Sequence, residues 1–169
     1  LGILAQYTDS FGKALLGTCV NCAFGQSEVG QISASGIELY KAHPHAKQLD
    51  FETSDNDSWW VGDRPKTNVY GEHLLWRSVA SSLTPFLDGR EVLPITGTGN
   101  PWYRVHSSNP QTKFANWLNE LTKKIQKDYP EFPYYAFGTL RDLLPDILRR
   151  EYSDAVASLC LQHGEPNNG

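Results

Sequence analysis

The sequence predicts a mostly helical α+β domain with a small antiparallel β-sheet near its first third. Apolar residues recur at three- and four-residue intervals in several long stretches, which is the spacing of an amphipathic helix. Between Lys47 and Val69 this spacing gives way to short β-compatible runs separated by turn residues. The chain has 169 residues, a length that fits one domain or at most two small ones. We therefore treat residues 1–169 as a single domain.

Helical spacing is found in residues 7–23, 74–87, 113–127, 139–148 and 153–163. The third stretch is the clearest, because Pro130 and Pro133 follow it and its apolar residues form one face, comprising Phe114, Trp117, Leu118, Leu121 and Ile125. Thr139 is the expected N-cap of the fourth helix and Ser153 that of the fifth. Pro145 either bends the fourth helix early or marks its first turn.

The predicted sheet lies between the first two helices. Residues 32–39 form a short β-compatible run, and residues 49–51 and 59–61 are expected to pair as a hairpin across a turn at 54–57. Residues 66–70 form a third extended piece, which begins at Lys66. Residues 88–110 are rich in Gly, Pro, Asn and Ser and are predicted to be a loop.

Net charge, cysteine count and the length of apolar runs argue against several classes of protein. The formal net charge of -4 counts against a strongly basic nucleic-acid binder without excluding local basic clusters. Three cysteines, an odd number, do not suggest a secreted disulfide framework, so we expect a reducing, cytoplasmic location. No apolar run approaches 18 residues, so we expect no membrane partner. The chain begins with Leu1 and contains no methionine, so we expect it to be part of a longer protein.

Two patterns raise the possibility of a metal site. Cys19 and Cys22, and Cys160 and His163, have the spacing of zinc half-sites, but both pairs fall within apolar helical stripes where buried cysteines are common. The pair formed by His43 and His45 has no third ligand near it in the sequence and is interpreted as an exposed loop. We therefore predict neither a metal nor another cofactor, and a small zinc protein remains an alternative.

Three residues are candidates for chemistry on a phosphate. Lys66 is predicted at the start of a strand, Arg141 in the first turn of a helix, and His163 at the end of the next helix. A positive charge is unfavourable in a first helical turn, so another interaction should favour Arg141 there. If they converge, Arg, Lys and His can hold a phosphodiester and protonate a leaving oxygen. The alternatives are a solvated lysine, a surface ion pair and a cation at a helix C-terminus.

Three segments together resemble the catalytic domain of tyrosine recombinases, the phage-integrase family. The segment 137–164, with Phe-Gly-Thr-Leu-Arg-Asp at its start and Leu-Gln-His-Gly at its end, resembles the second conserved box of that family. The segment 63–76, which starts Asp-Arg-Pro-Lys-Thr, resembles the β-hairpin that carries the family's lysine. The segment 15–32 resembles the first box, a helix leading into a Gly-x-Ser-Glu turn. The resemblance covers nearly the whole chain, in the family's order.

The resemblance implies breakage and rejoining of double-stranded DNA through a 3′-phosphotyrosyl intermediate, without a cofactor. Lys66 would be the general acid on the 5′-oxygen, Arg141 would clamp the scissile phosphate and His163 would hydrogen-bond to it. Glu28 would be the structural acid of the first box. We expect Arg64 and Thr67, beside Lys66, to contact DNA. The full-length protein would act as a tetramer on paired DNA sites.

The chain also departs from the family pattern. Gly25 stands where the family has its first arginine, Gly138 replaces a histidine, and Asp142 stands where a basic residue is usual. The nucleophilic tyrosine would lie about ten residues beyond His163, and neither it nor the amino-terminal DNA-clamping domain is in the sequence. We expect the chain alone to bind DNA at best.

These departures bear on whether the chain can cut DNA. For cleavage, another arginine, such as Arg90 or Arg104, would have to replace the first arginine of the family as a phosphate clamp. The alternative function is a degenerate recombinase fold that serves only as a DNA-binding or protein-interaction module. The feature that separates the two is whether a basic cleft surrounds Lys66 and Arg141 or acidic residues neutralise it.

Overall fold

Eight α-helices and a three-stranded antiparallel sheet form the part of the chain that the computed structural model describes, residues 1–87 and 92–162. The helices are α1 (Gly2–Tyr7), α2 (Ser10–Asn21), α3 (Gln26–Gly30), α4 (Ala46–Leu49), α5 (Arg77–Leu83), α6 (Thr112–Gln126), α7 (Phe137–Glu151) and α8 (Asp154–Cys160). The strands are β1 (Ile37–Glu38), β2 (Trp59–Asp63) and β3 (Tyr70–Leu74), in the order β1-β2-β3. This confirms the predicted α+β class.

Helix α2 lies at the centre of the core and packs against α5 and α7. It begins where Asp9 caps it, because the Asp9 carboxylate accepts a hydrogen bond from the N–H of Gly12 at 2.8 Å. Its buried apolar residues include Leu15, Leu16 and Val20. The predicted helix over 7–23 therefore corresponds to α2, which begins only at Ser10 because the chain is extended at Thr8 and Asp9; α1 is a separate helix before it.

The two long helices follow their predicted stripes. Helix α6 buries Phe114, Leu118, Leu121 and Ile125, as the spacing predicted. Helix α7 begins at Phe137 and not at Thr139, so Thr139 is not its cap; Phe137 is buried and packs edge-on against Phe114, with ring centroids 5.6 Å apart. Helix α5 occupies only part of the predicted 74–87 stretch.

Pro145 lies in the interior of α7, and Ser153 lies at the start of α8. The missing N–H of Pro145 leaves the carbonyl of Arg141 without its helical partner. Ser153 is the N-cap of α8, as predicted, and its hydroxyl accepts from the N–H of Val156 at 3.3 Å. None of the described helices is long and apolar enough to cross a membrane.

The predicted hairpin between residues 49–51 and 59–61 is wrong. Leu49 is the last residue of the short helix α4, and β2 pairs instead with β1 and β3. The segment between β1 and β2 closes on itself, because the N–H of Lys41 donates to the carbonyl of Asp57 at 2.9 Å. A short apolar run such as 49–51 fits a helix or a strand equally well, so its spacing could not decide between them.

The third extended piece begins later than predicted, at Tyr70. The chain between β2 and β3 is a turn in which the carbonyl of Arg64 accepts from the N–H groups of Thr67 and Asn68, at 3.2 and 2.8 Å. Asn68 has a left-handed backbone, with φ of 53°, which asparagine tolerates well. Lys66 therefore lies in a hairpin turn and not in a strand.

His73 of β3 is a buried imidazole in this sheet. Its ring packs on Phe24 and Trp60, with centroid distances of 5.4 and 5.6 Å. Its Nε2 has no hydrogen-bond partner among the described residues. Burial lowers the pKa of His73 from its usual 6.5 to about 4, because the charged ring would be poorly solvated there.

We therefore expect the free energy of unfolding to fall as the pH is lowered from 6.5 to about 4. In that range the unfolded chain binds a proton that the folded chain does not, so acid favours unfolding, by at most about 3 kcal/mol. The measurement is urea denaturation at several pH values. His73→Phe should remove this part of the pH dependence, whereas His106→Ala, at an exposed loop position, should keep it. An unchanged pH dependence in His73→Phe would contradict the assignment.

Candidate functional site

The side chain of Glu28, in the first turn of α3, lies at the centre of the candidate site. It is 6% exposed, and its carboxylate accepts two hydrogen bonds. Oε1 accepts from Nε of Arg64 at 2.8 Å, and Oε2 accepts from the backbone N–H of Gly25 at 3.0 Å. A buried carboxylate is tolerated only when such donors replace its lost hydration. The Glu28 carboxylate is therefore a buried structural group that joins the start of α3 to Arg64.

Arg64 connects Glu28 to the end of α8. Its side chain is 5% exposed, and Nη1 donates to the carbonyl of Leu161 at 2.8 Å. The pair therefore joins α3, the turn after β2 and the end of α8. Because its guanidinium is enclosed in this way, the arrangement disfavours the predicted DNA contact by Arg64.

The end of the described chain lies against the hairpin. A Cβ on Gly71 of β3 would lie 1.7 Å from Nε2 of Gln162, so only glycine leaves room for this buried amide. The hydroxyl of Thr67 donates a long hydrogen bond of 3.4 Å to the carbonyl of Gln162. Thr67 itself is exposed. The candidate His163 is outside the described residues.

Arg141 approaches the same region from α7. Its Cδ lies 3.6 Å from the position that a Cβ on Gly25 would take. Burial raises the pKa of the Cys19 thiol, and the nearby charge of Arg141 acts in the opposite direction. Arg141 is the fifth residue of α7, so its predicted place in the first turn is wrong and the helix dipole gives little reason for its position.

Gly25 is a glycine because of space, not because of its backbone conformation. Its φ of -82° is open to any residue. A Cβ at this position, however, would lie 2.9 Å from Oε2 of Glu28 and close to Arg141. An arginine here, as in the recombinase pattern, would require the Glu28 carboxylate to move. Of the two arginines suggested as replacements, Arg90 is outside the described residues, and Arg104 lies exposed in the loop before α6.

Acidic partners neutralise part of the site. Nε of Arg141 lies 2.7 Å from Oδ1 of Asp142, and the two side chains are 32% and 42% exposed. Arg64 is paired with Glu28. Lys66 is exposed in the hairpin turn and has no ion-pair partner among the described residues. Within residues 1–87 and 92–162, Lys66 and the outer part of Arg141 are thus the cationic groups that this site offers to a ligand.

The cysteines and histidines are placed by the structure as well. Cys19 and Cys22 are fully buried in the core, as predicted, and the Cys19 thiol donates to the carbonyl of Phe24 at 2.9 Å. The interpretation of His43 and His45 as an exposed pair without a third ligand is wrong for His43 and for the third ligand, although His45 is exposed as expected. His43 is buried, and Glu72 of β3 lies beside both imidazoles. Glu72 is distant in the sequence, so no local spacing could have indicated it.

We expect Arg64→Met to lower the free energy of unfolding by about 3–5 kcal/mol, because it leaves the Glu28 carboxylate buried without its charged partner. The measurement is urea denaturation at neutral pH. Arg149→Met is the matched control, since Arg149 pairs with Asp146 and Asp154 while it is 47% exposed. Its replacement should cost no more than about 1 kcal/mol. Equal losses in the two variants would show that the buried pair stabilises the fold no more than an exposed pair does.

Comparisons with known proteins assign no family to this site. No protein-family model matches the chain, and neither a curated protein nor a solved structure is significantly similar to it.

Proposed function

We propose that this chain binds the backbone of double-stranded DNA at the surface formed by the hairpin turn and α7, and that it does so without breaking the DNA. The observation that carries the proposal is that both elements meet at the start of α3. Arg64 of the turn is hydrogen-bonded to Glu28, and Arg141 of α7 lies against Gly25, whose N–H is bonded to the same carboxylate. Cationic side chains from two elements thereby both reach the start of α3.

Lys66 and Arg141 are suited to phosphate contacts. Lys66 is exposed and free of an ion-pair partner among the described residues, so it can approach a phosphate without first breaking a salt bridge. Arg141 shares its Nε with Asp142 and keeps other N–H groups that can donate to phosphate oxygens. With so few uncompensated cations and a net charge of -4, we expect weak, salt-sensitive binding, with Kd on the order of micromolar or higher.

Three features argue against strand cleavage. Gly25 offers no side chain to the phosphate, Arg64 is enclosed by Glu28 and Leu161, and Asp142 competes for Arg141. Phosphoryl transfer depends on preorganised cationic donors aimed at the phosphate oxygens. A site in which carboxylates already occupy two of its guanidinium groups is better suited to holding DNA than to reacting with it.

A second candidate function is DNA breakage and rejoining by the recombinase mechanism. The exposure of Lys66 favours it, because a general acid must reach the leaving 5′-oxygen. In that case Arg141 and His163 would hold the phosphate, a tyrosine would be the nucleophile and the full-length protein would assemble as a tetramer on DNA. A covalent protein–DNA adduct that survives detergent would establish this function and contradict binding without cleavage.

We expect Lys66→Ala and Arg141→Ala each to weaken binding to a fluorescent DNA duplex and to reduce the slope of log K against log salt by about 1, the effect of one lost phosphate contact. The measurement is fluorescence anisotropy at several salt concentrations. Lys127→Ala is the control, because Lys127 is an exposed lysine on another element, at the end of α6. Equal effects of all three substitutions would remove Lys66 and Arg141 from the DNA site.

A further inference from the structure

Two imidazoles and a carboxylate converge at the edge of the sheet, apart from the candidate DNA site. His43 and His45 lie in the segment just before α4, and Glu72 lies on β3. Nε2 of His43 is 2.9 Å from Oε2 of Glu72, and Nδ1 of His45 is 3.4 Å from Oε1. One nitrogen or oxygen from each residue can be chosen so that all three lie within 4.8 Å of one another.

The cluster is held in place by its surroundings. The His43 side chain is fully buried, and its ring packs against Trp59 and Phe51 at centroid distances of 4.6 and 5.1 Å. The backbone N–H of His43 donates to the hydroxyl of Thr53 at 2.9 Å. Nε2 of His43 points into the cluster, near Glu72, in an orientation that makes no hydrogen bond. A buried imidazole nitrogen without a hydrogen bond has lost solvation that a ligand would restore.

We propose that His43, His45 and Glu72 bind a divalent transition-metal ion of the zinc class. Imidazole nitrogens and a carboxylate oxygen are common zinc ligands. Tetrahedral ligands at zinc distances lie roughly 3.3–3.6 Å from one another, so atoms that already lie within 4.8 Å of one another need only small movements to enclose an ion. Magnesium and calcium prefer sites made of oxygen atoms, so the two nitrogens favour zinc over them. With three protein ligands, the ion keeps a position for water.

Metal binding would break the hydrogen bond that His43 accepts at Nδ1 and keep the one that Glu72 accepts from Tyr70. The N–H of His45 donates to Nδ1 of His43 at 3.1 Å, which places the ring hydrogen of neutral His43 on Nε2. Ligation through Nε2 moves that hydrogen to Nδ1, so the His45 N–H must turn away. The required movement falls on the residue before the four-residue α4, whose side chain is half exposed. The hydroxyl of Tyr70 donates to Glu72 and orients the carboxylate.

The test is calorimetric titration of the chain with zinc sulfate. We expect one equivalent to bind, and His45→Ala and Glu72→Gln each to weaken that binding at least about tenfold, because even the loss of a group that only supports a ligand costs that much. His106→Ala, an exposed histidine in the loop before α6, should bind zinc as the parent chain does. His45 is exposed, so its replacement leaves the core intact, and circular dichroism of each variant confirms folding.

Cobalt(II) in place of zinc identifies the ligands. A site of two nitrogens and an oxygen gives d–d bands without the thiolate charge-transfer bands that a cysteine site shows. Absence of zinc binding, equal affinity in His45→Ala and the parent chain, or thiolate bands that point to Cys160 would each overturn the proposal. In the first case the cluster is a hydrogen-bonded group that fastens the loop to β3 and binds no metal.

Discussion

A carboxylate and a guanidinium that are almost completely removed from water hold the candidate site together. Glu28 and Arg64 are 36 residues apart in the sequence. Their hydrogen bond of 2.8 Å holds the turn after β2 against the start of α3. Arg64 reaches further, to the carbonyl of Leu161, and so fixes the end of α8. Removing either partner leaves the other as a buried charge, which is why the geometry of three elements depends on this single pair.

The same pair determines what the site has left for a ligand. Because Arg64 is enclosed, the outer cationic groups are Lys66, in the turn that Arg64 anchors, and Arg141, which lies over Gly25 and shares its Nε with Asp142. The buried pair thus positions the turn and the end of α8 and contributes no net charge itself. With so little free positive charge, the site is better suited to weak attachment to a phosphate backbone than to phosphoryl transfer, which requires concentrated positive charge.

The sequence predicted what depends on local spacing. The stripe of α6, ended by Pro130, and the Ser153 cap of α8 were both placed correctly, because helix periodicity and capping act within a few residues. The 49–51 strand was wrong because its apolar run is too short to have a distinct period. Two contacts join residues that are distant in the sequence. Glu28 and Arg64 are 36 positions apart, and His43 and Glu72 are 29 positions apart. No local pattern signals such contacts, so only the folded chain could identify them.

A double-mutant cycle on the buried pair tests the central claim most directly. Glu28→Gln, Arg64→Met and the variant with both changes would be compared with the parent chain by urea denaturation. If the two side chains stabilise the fold through each other, the double variant loses less free energy of unfolding than the two single variants together. The expected coupling energy is about 1–3 kcal/mol. Losses that add to within about 0.5 kcal/mol would mean that the residues act independently, and the pair would not be the feature on which the site depends.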